Sequence, residues 1–252
     1  MIFNIAMREL RSLFLSPLAW AILAIKLHVL SWIFLFQLDR FLEIQPKLGG
    51  MQGAPGLTSL VAIPLLDTAA FLLMLIIPLI SMRLISEERR GQTLSLLFSA
   101  PVSMTEIILG KYLGILAFLS VMLALIVLMP LSLFLGANLD GGLLASGIIG
   151  LFLITASYAA IGLLMSALTK EPLIAAISSF GVFLLLWIID GVNNAGQNNL
   201  ATGLFNYLSI SSHYQNFSHG IINSADFSYF GLLIITAIIL SIRRLDAYRL
   251  QH

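Results

Sequence analysis

Six long apolar runs dominate this sequence and restrict its fold more than any other feature. They extend over about residues 17–38, 61–82, 112–136, 143–168, 173–189 and 227–242. A helix of about 20 apolar residues crosses a bilayer, and a spanning backbone must satisfy its own hydrogen bonds. Only 10% of the 252 residues are charged, against roughly a quarter in soluble domains. We therefore expect an all-α integral membrane protein in which 1–252 form a single domain with six transmembrane helices.

The basic residues predict how these spans are oriented. In a six-span topology Arg40 and Lys47 fall on one side of the membrane, whereas ten others share the side of both termini. The ten are Arg8, Arg11, Arg83, Arg89, Arg90, Lys111, Lys170, Arg243, Arg244 and Arg249. Because basic loop residues are retained in the cytoplasm, both termini are predicted to be cytoplasmic. Residues 1–16 mix apolar positions at helical spacing with basic residues, which is typical of an interfacial helix.

The loop between the second and third runs carries helix signals in a polar context. Ser86 can cap a helix over 86–100, with Glu87 and Glu88 in the first turn, where the helix dipole favours acids. Its apolar positions are Leu94, Leu97 and Phe98 on one side and Leu96 on the other. Both sides need cover, so we expect the spans on one side and a partner on the other. An ordinary solvated loop is the alternative interpretation.

A second helix start follows in the same loop. Ser103 and Glu106 have the spacing of a capping box, and Val102 and Ile107 have that of a hydrophobic staple. We expect one helix to run from Met104 directly into the third span.

Three ionisable residues lie within the predicted spans. Lys26 falls about nine residues into the first span, near mid-membrane at 1.5 Å per residue. His28 is close to it, and Asp67 lies in the outer part of the second span. A charge at that depth costs at least a few kcal/mol unless it faces a cavity or a partner. One interpretation is that Lys26 snorkels or is neutral against a neighbouring span. The other is that it lines a polar translocation path with His28 and Asp67, in which Asp67 is a candidate ion-pair partner of Lys26.

The fourth run is rich in small residues. Several of them fall four apart, such as Ser146 with Gly150 and Ala156 with Ala160. This spacing lets helix backbones approach closely. We expect these positions to serve packing within the chain.

The polar loop at 190–226 is predicted to be extracytoplasmic. Tyr214, Phe217 and Ile221 recur at helical spacing, which favours a short helix that dips into the outer interface. His213 and His219 are six residues apart, which is not a recognised spacing of metal ligands, and we expect no metal site.

Known catalytic motifs do not occur in the sequence. There is no His-Glu-x-x-His zinc motif and no cysteine. Gly110 and Lys111 do not form a phosphate-binding loop, because Thr105 stands where the first glycine belongs and Tyr112 where serine or threonine belongs. The chain is therefore predicted not to be an enzyme, and to bind no cofactor or nucleotide itself.

Three segments resemble the permease subunits of ABC-2-type transporters, particularly those associated with gliding motility. They are RELRSLFLSPLAW at 8–20, ISEERRGQTLSLLFSAPVSMTEIILGKYLG at 85–114 and YLSISSHYQNFSHGIINSADFSYF at 207–230. Together they extend the resemblance over the full length, and the second is the most specific. The sequence departs from the family at Gln92, which separates the glycine and threonine, and at Lys26 and His28, where relatives are more often apolar.

The resemblance implies a bacterial cytoplasmic-membrane permease that is driven by a separate ATP-binding subunit, itself a dimer that holds ATP and magnesium. The implied coupling helix contains Glu87, Glu88, Arg89, Arg90, Gly91, Thr93, Leu94, Leu96 and Leu97. An extracytoplasmic motif is implied at His213, Phe217 and Gly220. The other implied partners are membrane lipid and a second permease copy, or a related permease or auxiliary subunit with an extracytoplasmic domain; nucleic acid is not among them.

We accordingly predict a permease that exports or extracts an unidentified substrate as its ATP-binding partner opens and closes. Two alternatives come from other classes. An intramembrane enzyme would need a supported acid pair or nucleophile, whereas Asp67 and Asp190 lie near the outer ends of their runs without a motif. A structural scaffold would explain the spans but not the two-sided helix in the central loop.

Overall fold

The computed structural model describes residues 1–48, 55–92, 102–137, 139–193 and 209–249. These residues form helices and no strand, which confirms the all-α prediction. The α-helices are α1 (Ile2–Leu15), α2 (Pro17–Leu48), α3 (Ile63–Ser81), α4 (Arg83–Arg90), α5 (Met104–Ser132), α6 (Gly141–Leu168), α7 (Pro172–Asn193), α8 (Ile210–Ser218) and α9 (Ser224–Arg249). A π-helical turn, Thr58–Ala62, precedes α3, and a 3-10 turn, Leu133–Leu135, follows α5.

Six stretches in the described part of the chain are long and apolar enough to cross a membrane. They are Pro17–Lys47, Thr58–Arg90, Met104–Leu135, Gly141–Leu168, Pro172–Ile189 and Ser224–Arg249. The six-span prediction is thus confirmed, but several helices are longer than their apolar runs. In particular, α2 continues to Leu48, where a loop after Leu38 was predicted. The helix continues beyond the apolar run because polar side chains at its end can be solvated while the backbone keeps its helical hydrogen bonds.

The fourth span, α6, is the central helix of the bundle. It packs against α3, α7, α8 and α9, and its small residues make these approaches close. A Cβ atom added to Gly162 would lie 2.2 Å from Ser81 Oγ, and one added to Gly150 would lie 2.5 Å from Phe217 Cβ. The prediction that small residues in this span serve packing within the chain is confirmed.

The N-terminal helix α1 packs along α5 over two glycines that are one turn apart. A Cβ atom on Gly110 would lie 2.7 Å from the side chain of Ile5, and one on Gly114 would lie 2.7 Å from Glu9 Cβ. The opposite side of α1 leaves Phe3 and Leu15 exposed. A helix over most of 1–16 therefore forms with one side on the protein, and its place in the membrane interface stays a prediction.

We expect Gly114→Leu to displace α1 from α5, since the new side chain needs the space of Glu9 Cβ. Overpacking of this kind costs about 1–3 kcal/mol, so the melting temperature of the purified chain should fall by several degrees. Gly181→Leu in α7 is the matched control, because a Cβ atom there meets nothing within 4 Å. Equal melting temperatures for the two variants would contradict this packing.

Polar contacts between helices gather at two opposite ends of the bundle. At one end, which we call the charged end, side chains of α1, α4 and α5 meet near the turn between α6 and α7. At the other end, the start of α3 contacts α8, and α8 contacts the start of α9. The described parts of the segments that were predicted to share one side of the membrane therefore share one end of the bundle.

Candidate functional site

Helix α4 carries the first four residues predicted for coupling, and it differs from the predicted helix at both ends. It begins at Arg83, directly after a one-residue break at Met82 that follows α3. Ser86 is therefore not an N-cap: it lies within α4, and its hydroxyl donates to the Met82 carbonyl. The helix needs no such cap because α3 precedes it without a loop.

The C-terminal end of α4 is equally abrupt. Gly91 is its C-cap, and Gln92 has a φ of 55°, in the left-handed region. The predicted extension to residue 100 is thus wrong at 91 and 92. Thr93, Leu94, Leu96 and Leu97 lie outside the described residues.

The inner side of α4 is anchored to α6 by Ser166. The Ser166 hydroxyl accepts hydrogen bonds from the amides of Ile85 (3.0 Å) and Ser86 (3.1 Å) and donates to the Met82 carbonyl (3.0 Å). These backbone groups lie next to the break between α3 and α4, where regular helical bonding is interrupted. One buried hydroxyl with both lone pairs and its proton in use therefore fixes the direction in which α4 leaves the bundle.

Arg89 also faces inward rather than toward solvent. Its guanidinium donates to the Ala167 carbonyl at 2.6 Å and lies 4.4 Å from the centre of the Tyr248 ring, a cation–π contact. It joins α4 to the end of α6 and to the last turn of α9. We conclude that Arg89 positions α4 and does not contribute to its outer surface.

Lys111 is the centre of an ion-pair network at the charged end. Its side chain is only 2% exposed, and Nζ lies 2.8 Å from Glu88 Oε1 and 3.2 Å from Glu9 Oε2. Arg8 adds a longer contact of 3.4 Å to Glu88. The network joins α1, α4 and α5, so Glu88 faces inward, with its side chain 20% exposed. Sequence reasoning missed this role of Lys111, although its place between Gly110 and Gly114 puts it on the part of α5 that α1 covers.

The outer side of α4 consists of Arg83, Glu87 and Arg90, all exposed. Arg83 and Glu87 are one turn apart and form a ridge, since both line two recesses. The first recess, of about 540 Å³, also includes Arg8, Glu9, Ser12, Glu88, Gly91 and Lys111. The second, of about 270 Å³, also includes Met82, Arg90, Glu171, Pro172 and Leu173. A charged ridge between two recesses, on a helix anchored from within, is suited to receive protruding side chains of another protein.

The three residues predicted for a translocation path are not brought together. Lys26 is 2% exposed, and its Nζ lies 3.4 Å from Met122 Sδ. His28 is exposed on another side of α2, and Asp67 accepts a hydrogen bond from Ser218 at 2.8 Å. The predicted pairing of Lys26 with Asp67 is therefore not formed, because α2 directs the lysine toward α5.

We expect Lys26→Met to stabilise the chain. The methionine keeps the unbranched stem and removes an amine that donates to the Met122 thioether, a weak acceptor that compensates little of the desolvation. A gain of 1 kcal/mol corresponds to roughly 2–4 °C in a protein of this size, which differential scanning fluorimetry resolves. Lys26→Ala is the comparison variant, which should lose stability because it leaves a cavity. A lower melting temperature for Lys26→Met than for the unmodified chain would show that the amine has a stabilising role.

The predicted extracytoplasmic motif anchors α8. His213 Nδ1 lies 2.5 Å from Asp226 Oδ1 at the start of α9. The Phe217 carbonyl accepts from the Ser146 hydroxyl at 2.8 Å, and its ring lies over Gly150. Gly220 has a φ of 78° and follows the end of α8. Because the chain turns there, Ile221 is exposed beyond the helix, and the prediction that it shares a helical face with Tyr214 and Phe217 is wrong. Within the described residues no group of acids and histidines could hold a metal ion.

Comparison with known families gives one result that covers nearly the whole chain. Residues 3–245 match the family described as ABC-2 family transporter protein. The match extends from α1 into α9 and so includes both ends of the bundle. No curated protein matches the chain.

Proposed function

Because this chain belongs to the ABC-2 family of transporter proteins, we propose that it is the permease subunit of an ATP-driven exporter whose ATP is hydrolysed by a separate subunit. The observation that carries the proposal is the architecture of α4. Its inner side is anchored to three spans, while Arg83, Glu87 and Arg90 are directed outward beside two recesses. ATP and magnesium would be bound by the partner.

The contacts of α4 provide a route by which a partner could move the spans. A force on the outer ridge would pass to α3 across the break at Met82, to α6 through Ser166 and to α5 through the pair of Glu88 with Lys111. Opening and closing of the ATP-binding dimer would then favour two arrangements of the spans through contacts that differ between its states. In this proposal Glu87 and Arg90 contact the partner, and Glu88 and Arg89 position α4. Gly91 and the residues predicted after it, Thr93, Leu94, Leu96 and Leu97, would complete the contact.

The remaining partners follow from the family expectation. A second copy, or a related permease or auxiliary subunit with an extracytoplasmic domain, would complete the membrane assembly. The spans of α2 and α7 are among the least buried, since 22% of the apolar stretch of each is buried within the protein. They supply apolar surface for lipid and for such a subunit. More specifically, we propose that the chain is a permease of the type associated with gliding motility.

The orientation that goes with this function places the charged end in the bacterial cytoplasm. The chain has no cysteine, so single cysteines report accessibility without background. We expect Gly56→Cys to react with a membrane-impermeant maleimide in intact cells and Glu171→Cys to react only after permeabilisation. Labelling of Glu171→Cys in intact cells would contradict the cytoplasmic assignment.

Affinity purification from the native membrane tests the proposed function. We expect an ATP-binding protein with a phosphate-binding loop to co-purify in a fixed ratio, and the complex to hydrolyse ATP. A chain that purifies without an ATP-binding protein under conditions that preserve other membrane complexes would contradict the proposal and favour a structural scaffold.

A further inference from the structure

A second cavity lies at the end of the bundle opposite to α4. It has a volume of about 540 Å³, opens at the surface, and is lined by residues of α3, α6, α7 and α8 and by His219. Its walls are mainly apolar and aromatic, and they include Phe71, Met74 and Trp187. Apolar walls with a few polar groups at this volume are typical of sites for small molecules.

Asp67 is the anionic group of this cavity. Its Oδ1 accepts a hydrogen bond from the Ser218 hydroxyl at 2.8 Å. Among the described residues, no lysine or arginine forms an ion pair with it. The nearby cationic candidate is His219, which also lines the cavity. A carboxylate has about four acceptor sites, so Asp67 retains capacity for a further donor.

Tyr214 is a second polar group of this cavity. The residue is 5% exposed and lines the cavity. Its hydroxyl interacts with the Asp67 carboxylate and with Ser218. Tyr214 and Ser218 therefore hold the Asp67 carboxylate in place at the wall of the cavity.

The aromatic walls define which ligands suit the carboxylate. Phe71 lies one turn after Asp67 on α3, and its ring centre is 6.0 Å from that of Trp187 on α7. Aromatic faces attract organic cations, and a carboxylate attracts a cation and repels an anionic headgroup. The aromatic walls and the carboxylate therefore both favour a positively charged ligand.

We propose that this cavity binds an organic cation, with an ammonium group paired to Asp67 and an apolar body against the wall that Phe71 and Trp187 form together. Binding is a property of this chain and does not depend on the α4 ridge. The additional statement that such cations are the transported substrates rests on the function proposed above.

The test uses 1-adamantylammonium and the neutral 1-adamantanol, which share one apolar body. The chain contains three tryptophans, and in a Trp20→Phe, Trp32→Phe background Trp187 alone reports on the cavity. We expect 1-adamantylammonium to change Trp187 emission in a saturable way. Asp67→Asn should raise the dissociation constant at least tenfold and leave the weaker binding of 1-adamantanol unchanged. Asp39→Asn is the matched control, since Asp39 lies on α2 outside the cavity, and it should bind normally.

Equal affinity of 1-adamantylammonium for the Asp67→Asn variant and its parent would overturn the proposal. The proposal is also overturned if 1-adamantylammonium produces no saturable change of Trp187 emission in the parent. This is the result expected if a second copy of the chain fills the cavity. If Asp67→Asn does not fold, Phe71→Leu supplies the test: it keeps the carboxylate, and unchanged affinity there would also overturn the proposal. If the chain binds 1-adamantylammonium but purifies without an ATP-binding subunit, this site is supported and only the proposed function is contradicted. If the subunit co-purifies but 1-adamantylammonium does not bind, the function is supported and this site is contradicted.

Discussion

Reversing the outward charges of α4, with Glu87→Lys and Arg90→Glu combined, is expected to abolish transport-coupled ATP hydrolysis while the chain stays folded. Both residues are exposed, and within the described part of the chain their one ion pair is that of Arg90 with Glu171, at 3.8 Å on the surface. Such a pair contributes about 0–1 kcal/mol. Across a closed interface, by contrast, misplaced charges cost several kcal/mol.

The measurements for this prediction are the yield of co-purified ATP-binding subunit and the ATPase rate of the complex. We expect the yield to fall at least tenfold, with the melting temperature of the isolated chain little changed. The matched control is Asp39→Lys with Arg40→Glu at the opposite end, a reversal that also leaves net charge unchanged and should have no effect. Normal binding and turnover in the α4 variant would mean that α4 is a solvated segment without a coupling role.

Replacing Lys111 by methionine is expected to produce the largest loss of stability of any substitution considered. The change leaves Glu9 and Glu88 facing each other in a largely buried space, and Arg8, at 3.4 Å from Glu88, is the remaining cation of the network. Removing one partner of a buried ion pair costs about 3–5 kcal/mol. At roughly 2–4 °C for each kcal/mol, the melting temperature should fall by about 6–20 °C.

Two comparisons identify the ion pairs as the cause. Lys170→Met, the same substitution at an exposed lysine, should leave the melting temperature unchanged. Combining Lys111→Met with Glu9→Gln and Glu88→Gln should restore part of the loss, because the facing charges are then removed. A triple variant that is no more stable than Lys111→Met alone would assign the loss to packing instead of charge.

The parts of the structure that sequence predicted are those with local causes. The spans follow from apolar length, and the start of α5 follows from four residues: the Ser103 amide donates to Glu106 Oε2 at 3.0 Å, and the Glu106 amide donates to Ser103 Oγ at 3.2 Å. Both capping bonds are satisfied within one turn. Neither needs information from elsewhere in the chain.

The parts that sequence missed depend on distant residues. Lys111 and Glu9 are 102 positions apart, and Arg89 meets Tyr248 from the last helix. No local pattern distinguishes these inward charges from the outward Glu87, so the sequence grouped them together. Ser86 is a related case: its surroundings fit an N-cap, but the helix had already started at Arg83, because α4 follows α3 without a loop.

The central claim is that the outer side of α4 contacts a separate ATP-binding subunit, and site-specific cross-linking tests it most directly. In a chain without cysteine, Glu87→Cys carries the only reactive thiol, which a short maleimide–diazirine linker connects to any neighbour within reach. We predict a cross-link to the ATP-binding subunit whose yield changes when ATP is added, and none from Gly56→Cys at the opposite end. Absence of a Glu87→Cys cross-link in a complex that hydrolyses ATP, or a yield that does not respond to ATP, would contradict the account.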